Sequence, residues 1–146
     1  MEERLNYILE NFVHHGGFLE NARLSFYQKI QNAKSMSIKE ENNSVWKIIE
    51  SFNSLRNDIA HRLDINKREE KIKSLAKLYW VQVELDPEKD DWMNKDTNTL
   101  LAGIIAYLIG FLTGFENEID RFRSLFDLLV KSEKGLSESS SNNKTT

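Results

Sequence analysis

The sequence predicts an all-α protein: a single bundle of about five helices that ends in a long C-terminal helix. Apolar residues recur three and four positions apart over most of the chain, which is the spacing of one face of a helix. The 146 residues include one proline, Pro87, and six glycines, too few for the many turns of an all-β protein. With 40% hydrophobic residues, a chain of this length can bury the core of one domain.

The first three helices are predicted from apolar stripes that lie between polar breaks. The first stripe stops at the segment "HHGG" (14–17), where adjacent glycines favour a turn, and it consists of Leu5, Ile8, Leu9, Phe12 and Val13. A second helix is expected from Phe18 to about Lys34, before the polar loop "SMSIKEENNS" (35–44). Ser44 is the expected N-cap of a third helix, whose apolar positions are Val45, Ile48, Ile49, Phe52, Leu55 and Ile59.

Two further helices complete the predicted bundle. Asp64 or Asn66 is expected to cap the fourth, which carries Ile72, Leu75, Ala76 and Tyr79. Thr97 or Asn98 is expected to open the final helix, which should end at about Lys131. The sequence therefore predicts one helical domain over residues 1–131. The remainder, 132–146, is rich in Ser and Asn and is predicted to be a disordered polar tail.

The final helix contains an uncharged run, "LLAGIIAYLIGFLTGF" (100–115). Its small residues fall four apart on one ridge, where another backbone can approach closely: Ala102, Ala106, Gly110 and Gly114. The run is shorter than the roughly 18 residues of a membrane span. A central core helix is therefore the favoured interpretation, with self-association through the ridge as the main alternative, and no membrane partner is predicted.

Composition and charge exclude several classes of function. The net charge is -3 and the pI about 5.7, which argues against a broad basic surface for nucleic acid but allows a local cluster of cations. The chain has no cysteine, so disulfides and thiolate metal sites are excluded. His14 and His15 are adjacent and would point about 100° apart on a helix, which is unsuitable for one shared metal. We expect no metal and no cofactor.

The segment "MEERLNYILENF" (1–12) lacks the basic and then apolar order of a signal peptide. This pattern, together with the absence of cysteine, leads us to expect a cytoplasmic protein.

The segment "FNSLRNDIAHRL" (52–63) within the third predicted helix holds the candidate catalytic residues Arg56, Asn57 and His61. Asn57 and His61 are four apart, so the asparagine amide can orient the imidazole. Arg56 lies about 140° away from His61 around an ideal helix. A second copy across a two-fold axis would bring two arginines and two histidines into one cleft. Asp58 and Arg62 have the spacing of a surface ion pair.

These residue types suit the cleavage of RNA without a metal. Histidine titrates near neutrality and can accept the proton of a 2′-hydroxyl or donate one to the leaving oxygen. Arginine carries a permanent charge on a fork that matches two phosphate oxygens. An Arg and a His at this spacing are also compatible with an ordinary solvated helix surface, so the residues alone leave both interpretations open.

The motif Arg56, Asn57 and His61, with Leu55 and Ala60 beside it, resembles the signature of the HEPN superfamily (higher eukaryotes and prokaryotes nucleotide-binding domains). That signature is an Arg, four to six residues, and a His, often with a polar residue after the Arg. The segment "LENARLSFYQKIQNAKSM" (19–36) is similar to the second helix of HEPN proteins related to the mannitol operon repressor. The resemblance covers residues 1–63 by motif and the whole domain by helix order.

The resemblance implies an all-α homodimer with Arg and His in a cleft at the two-fold interface. Many HEPN proteins are metal-independent endoribonucleases of toxin–antitoxin, abortive-infection or CRISPR-associated systems. By this resemblance His61 would be the acid or base, Arg56 would hold the scissile phosphate, and Asn57 would orient the site. RNA would be the substrate, and an antitoxin or defence protein a possible partner.

One position differs from the sequence pattern of a HEPN subgroup. Toxins paired with a nucleotidyltransferase antitoxin typically carry Tyr two residues after the His, where this chain has Leu63. Members close to the mannitol repressor act through protein contacts. The alternative function is therefore a non-catalytic regulatory or protein-interaction module.

Overall fold

The computed structural model describes residues 1–13, 22–37, 39, 42–61, 64–84 and 95–141, with side chains as far as Ser132. This part of the chain contains no strand. It forms five helices: α1 (Glu2–Phe12), α2 (Phe26–Ser35), α3 (Asn43–Ala60), α4 (Ile65–Val83) and α5 (Thr97–Ser141). The prediction of an all-α fold with a long C-terminal helix is confirmed.

The second helix begins later than predicted. It starts at Phe26 rather than Phe18, because Ser25 forms a capping box with Gln28. The Gln28 N–H donates to the Ser25 hydroxyl at 3.3 Å, and the Ser25 N–H donates to the Gln28 side chain at 2.8 Å. Arg23, just before this cap, has a left-handed φ of 47°, which a continuous right-handed helix does not allow. The "HHGG" break and Phe18 lie outside the described residues.

The other helix ends agree with the prediction at some positions and differ at others. Helix α3 begins at Asn43, so Ser44 lies inside it and is not its N-cap. Asp64 does cap α4, where its carboxylate accepts from the Asn66 N–H at 3.1 Å. Helix α5 begins at Thr97 as predicted and continues to Ser141, past the expected end near Lys131. The rest of the predicted tail, 142–146, lies outside the described residues.

Each helix contacts the next along the chain, and α5 returns to contact α1, so the five helices surround one core. Helix α3 also contacts α5. Trp46 of α3 is fully buried and meets the rings of Phe111 and Phe115 edge-on, with centroids 5.3 and 5.5 Å away. Most of the predicted apolar positions are buried. Phe12 and Ile59 are exceptions, with 42% and 48% of their surfaces exposed.

Helix α5 enters the core by one face only. Its buried residues are Leu100, Ile104, Leu108, Leu112, Phe115 and Ile119. The small residues at 102, 106, 110 and 114 are exposed instead, so they do not serve a close approach within this chain. A Cβ added at Gly110 or Gly114 would meet no atom within 4 Å. The core interpretation is correct for one face of the helix and wrong for the small-residue ridge.

The stretch Thr97–Ser132 of α5 is long and apolar enough to cross a membrane by length and composition, and 28% of its most apolar window is buried in the fold. Core helices of soluble proteins meet the same criterion, so this finding does not assign a membrane.

Ion pairs join neighbouring helices of the bundle. Arg4 of α1 donates to the Glu116 carboxylate of α5 at 2.7 Å. Between α2 and α3, the Glu50 carboxylate accepts from Lys34 at 2.9 Å and from the Gln31 amide at 2.8 Å. Partial burial would raise the pKa of Glu50, but the hydrogen bonds from Lys34 and Gln31 outweigh it and lower the pKa. This carboxylate therefore stabilises the fold while it is ionised.

The open surroundings of the ridge predict the effect of filling it. Gly110→Ala should raise the free energy of unfolding of the single chain by about 1 kcal/mol, because alanine has the higher helix propensity and meets no neighbour. Leu108→Ala, two residues earlier and fully buried, should lower it by about 3 kcal/mol. Urea denaturation at low protein concentration measures both changes. If Gly110→Ala lowered the free energy of unfolding, the added methyl group would have to meet a neighbouring atom, which would contradict the open surroundings of the ridge.

The Glu50 contact predicts a pH dependence of stability. Glu50→Gln should lower the free energy of unfolding by about 1 kcal/mol at pH 7, because it removes the charge that Lys34 faces. Since the folded-state pKa is lowered, the wild-type advantage is present at neutral pH and is lost as the pH falls below the ordinary range of a glutamate. Glu70→Gln on the exposed side of α4 is the control. A difference that persists unchanged in acid would contradict the ion pair.

Candidate functional site

Arg56 lies in the last turns of α3, and its side chain is exposed. Its guanidinium carbon is 5.3 Å from the centroid of the Phe26 ring. Phe26 is the first residue of α2, and the Ser25 capping box fixes its backbone there. The ring therefore supports the guanidinium by a cation–π contact and leaves N–H groups available to bind an anion.

Among the described residues, Arg56 has no carboxylate partner. Glu2 is the acidic residue whose pKa reports the charge of Arg56, but its carboxylate accepts a hydrogen bond from Lys29 at 2.9 Å. That hydrogen bond is the main reason that the pKa of Glu2 is lowered, and the charges of Lys29 and Arg56 add to it. No described residue forms an ion pair with Arg56. Its guanidinium is thus free to contact a phosphate.

His61 is the C-cap of α3 and not a residue of its helical interior. Its backbone has φ -91° and ψ 14°, and its N–H donates to the carbonyl oxygen of Asn57 at 3.0 Å. The link between Asn57 and His61 is therefore made by the backbone, whereas the sequence suggested a bond between the side chains. Both side chains are exposed. The angle of about 140° between Arg56 and His61 on an ideal helix no longer applies, because the chain leaves the helix at His61.

A polar clamp fixes α4 beside the motif. The ammonium of Lys71 in α4 donates to the Asp58 carboxylate and to the hydroxyl of Ser54, the latter at 3.1 Å. Asp58 thus pairs across helices with Lys71. Its predicted partner Arg62, like Leu63, lies outside the described residues, so that ion pair stays a prediction. The clamp ties the α3 turn that carries Arg56 and Asn57 to the next helix.

Two residues near the motif were not identified from the sequence. Phe26 lies within the predicted second helix, and the sequence does not indicate that its ring supports Arg56. Asn53 is 5% exposed, and its Oδ1 accepts no hydrogen bond from any described residue. Its signal in the sequence was an amide between apolar positions of α3, one turn before the motif.

Apolar side chains flank the exposed motif. Ile59 and Ile65 lie on either side of His61 in the sequence and are 48% and 62% exposed. The described residues contain no group of three or more His, Asp or Glu side chains that could hold a metal ion. The exposed motif thus offers a guanidinium, an amide and an imidazole within six residues of the chain, and two exposed isoleucines are close to it in sequence.

The Arg56–Phe26 contact can be measured by a double-mutant cycle. Arg56→Gln and Phe26→Leu should show a coupling free energy of about 0.5–1 kcal/mol in unfolding experiments, because each removes one side of the same cation–π contact. Arg68→Gln, an exposed arginine of α4, is the matched control and should show no coupling with Phe26→Leu. A coupling free energy equal to that of the control pair would show that Arg56 and Phe26 do not interact.

Comparisons of the chain with protein-family models, with curated proteins and with solved structures found no match. The resemblance to the HEPN superfamily therefore rests on the motif residues and on the order of the helices.

Proposed function

We propose that the chain is a HEPN-like, metal-independent endoribonuclease whose site is shared between two copies. The observation that carries the proposal is the state of Arg56: an exposed guanidinium without an ion-pair partner among the described residues, supported on Phe26, five residues before an exposed histidine. Arg4, by contrast, binds the Glu116 carboxylate. The availability of Arg56 favours an external anion.

The proposed reaction uses the imidazoles of two His61 copies and the guanidinium of Arg56. The imidazole of one His61 accepts the proton of a ribose 2′-hydroxyl, and the 2′-oxygen attacks the adjacent phosphorus. The bond from phosphorus to the 5′-oxygen breaks, and a second imidazole, protonated, donates a proton to that oxygen. Arg56 binds the non-bridging oxygens as charge develops on them. The products are a 2′,3′-cyclic phosphate and a 5′-hydroxyl.

A homodimer follows from the count of proton-transfer groups. One chain offers one motif histidine, whereas the reaction needs an acid and a base at the same time. A two-fold axis beside the C-terminal end of α3 supplies the second imidazole and the second guanidinium. The exposed Ile59 and Ile65 support a protein contact at this end of the helix, since apolar side chains beside a polar motif favour burial. The exposed ridge of α5 offers a second surface for self-association.

We place this activity in the cytoplasm, in a toxin or anti-phage defence role with an antitoxin or defence protein as partner. A second function, a non-catalytic interaction module, is supported by the exposed apolar end of α5. Its exposed residues there are Phe122, Leu125, Phe126, Leu128 and Leu129. Such a run is suited to protein contacts.

The nuclease proposal predicts RNA cleavage by the purified protein in EDTA, with 2′,3′-cyclic phosphate ends. His61→Ala should lower the cleavage rate at least about 100-fold, because the acid–base group is lost. Arg56→Ala should lower it by a similar factor, because a charge-assisted contact with the phosphate is lost. Arg68→Ala removes an exposed arginine of α4 and is the control. The rates are measured on a fluorescent oligoribonucleotide.

Mixed dimers test the shared site. Co-expression of a wild-type chain with a His61→Ala chain, followed by purification through two different tags, should give a mixed dimer that cleaves at least about 100-fold more slowly than the wild-type dimer, because its cleft holds one imidazole instead of two. Cleavage by a variant that lacks His61 at the wild-type rate would exclude the proposed chemistry. An inactive wild-type protein with a stable dimer would favour the interaction module.

A further inference from the structure

A cavity of about 520 Å³ lies between α4 and the first turn of α5, away from the proposed nuclease motif. None of Arg56, Asn57 and His61 lines it. Its volume lies within the range of about 300–1,000 Å³ that is typical of small-molecule sites. It therefore has the size of a ligand site that the proposed nuclease chemistry does not use.

The floor of the cavity is apolar. Ile72 and Ala76 of α4 and Leu100 of α5 are buried core residues that also line it. Trp80 lines the same cavity and is partly buried against the core. Three small or branched side chains beside a large indole make a surface that suits a flat apolar group.

The rim of the cavity carries cations. Lys73 and Lys77 are one helical turn apart on α4, are exposed and form no ion pair with another described residue. Lys95 and Glu69 also line the cavity. Even without Lys95, the two ammonium groups of Lys73 and Lys77 outnumber the Glu69 carboxylate among the described lining residues, so this part of the rim carries a net positive charge in a protein whose overall charge is -3. This local excess attracts an anion.

We propose that this cavity binds a small aromatic phosphate, with its ring against Trp80 and its phosphate at Lys73 and Lys77. The apolar floor and the cationic rim are each suited to one half of such a molecule. A phosphate monoester carries up to two negative charges, whereas a carboxylate carries one. The phosphate is therefore the better counter-ion for the two ammonium groups of Lys73 and Lys77. The proposal does not depend on nuclease activity.

The probe for the test is 1-naphthyl phosphate, titrated into the full chain and followed by calorimetry and tryptophan fluorescence. Saturable binding with one site per chain is expected, and both neutral 1-naphthol and inorganic phosphate should bind at least about tenfold more weakly, since each presents only half of the recognised chemistry. Equal binding of 1-naphthol and 1-naphthyl phosphate would overturn the role of the lysines. The absence of saturable binding of 1-naphthyl phosphate would overturn the site.

Variants locate the site. The double variant Lys73→Glu/Lys77→Glu should weaken binding at least about tenfold, because it reverses the charge of the rim. Lys47→Glu/Lys67→Glu has the same change in net charge at exposed positions outside the cavity and should leave binding nearly unchanged. Equal weakening in both double variants would mean that only net charge attracts the probe, which overturns the site.

Trp80→Phe keeps the charges of the rim and removes the indole. It therefore tests the contact between the ligand ring and the apolar floor separately from the lysines. It should weaken binding and abolish the part of the fluorescence change that Trp80 contributes, while circular dichroism shows an unchanged helix content. Binding and fluorescence changes identical to those of the wild type would contradict the placement of the ring against Trp80. This variant also keeps the proposal testable if the double charge reversal does not fold.

Discussion

The contact between Trp46 and the two phenylalanines of α5 closes the bundle. Trp46 is fully buried, and it brings α3 against the helix that begins more than fifty residues later. Phe111 and Phe115 lie one turn apart and are stacked at 6.3 Å, and both rings stand nearly perpendicular to the indole of Trp46. Edge-to-face contacts add about 0.5–1.5 kcal/mol to the burial of each ring. Because α3 also carries the motif, the position of the candidate site depends on this contact.

The motif end of α3 is held by neighbours on two sides. Helix α2 supplies Phe26 beneath Arg56, and α4 supplies Lys71 to Asp58 and Ser54. The Lys71 contacts use the side of α3 that faces α4, and the Phe26 contact uses the guanidinium of Arg56, while Arg56, Asn57 and His61 are exposed. Their replacement therefore removes little core packing. Loss of cleavage in such variants would report chemistry and not unfolding.

Apolar periodicity predicted the helices well because the core of this protein is built from regular stripes. The positions predicted for the fourth helix, Ile72, Leu75, Ala76 and Tyr79, are all buried. The errors come from local interactions that periodicity does not contain. The Ser25 capping box begins α2 eight residues later than the stripe suggested, and it does so through two hydrogen bonds. A hydrogen-bonded cap stabilises the start of a helix by about 1 kcal/mol. This is enough to decide at which of two residues a helix begins when apolar periodicity allows both.

The candidate site was predictable in its residues and less so in its geometry. Arg56 and His61 could be named from their chemistry and spacing, and both are accessible. The support by Phe26 could not be named, because it joins residues thirty positions apart through tertiary packing. The place of His61 at the helix end was missed for a related reason: the apolar stripe continues to Ile59, although that side chain is half exposed and does not hold the helix to the core.

Helix α5 shows why a composition can identify a helix without identifying its neighbours. One face buries six apolar residues in the core, and the opposite ridge leaves two glycines uncovered. Each glycine costs about 1 kcal/mol of helix stability relative to alanine, and no contact of the single chain offsets that cost. A second chain packed along the ridge would offset it, since glycines allow two helices to approach closely. The core role belongs to the other face, so the small residues favour self-association over the role in the core that length alone suggested.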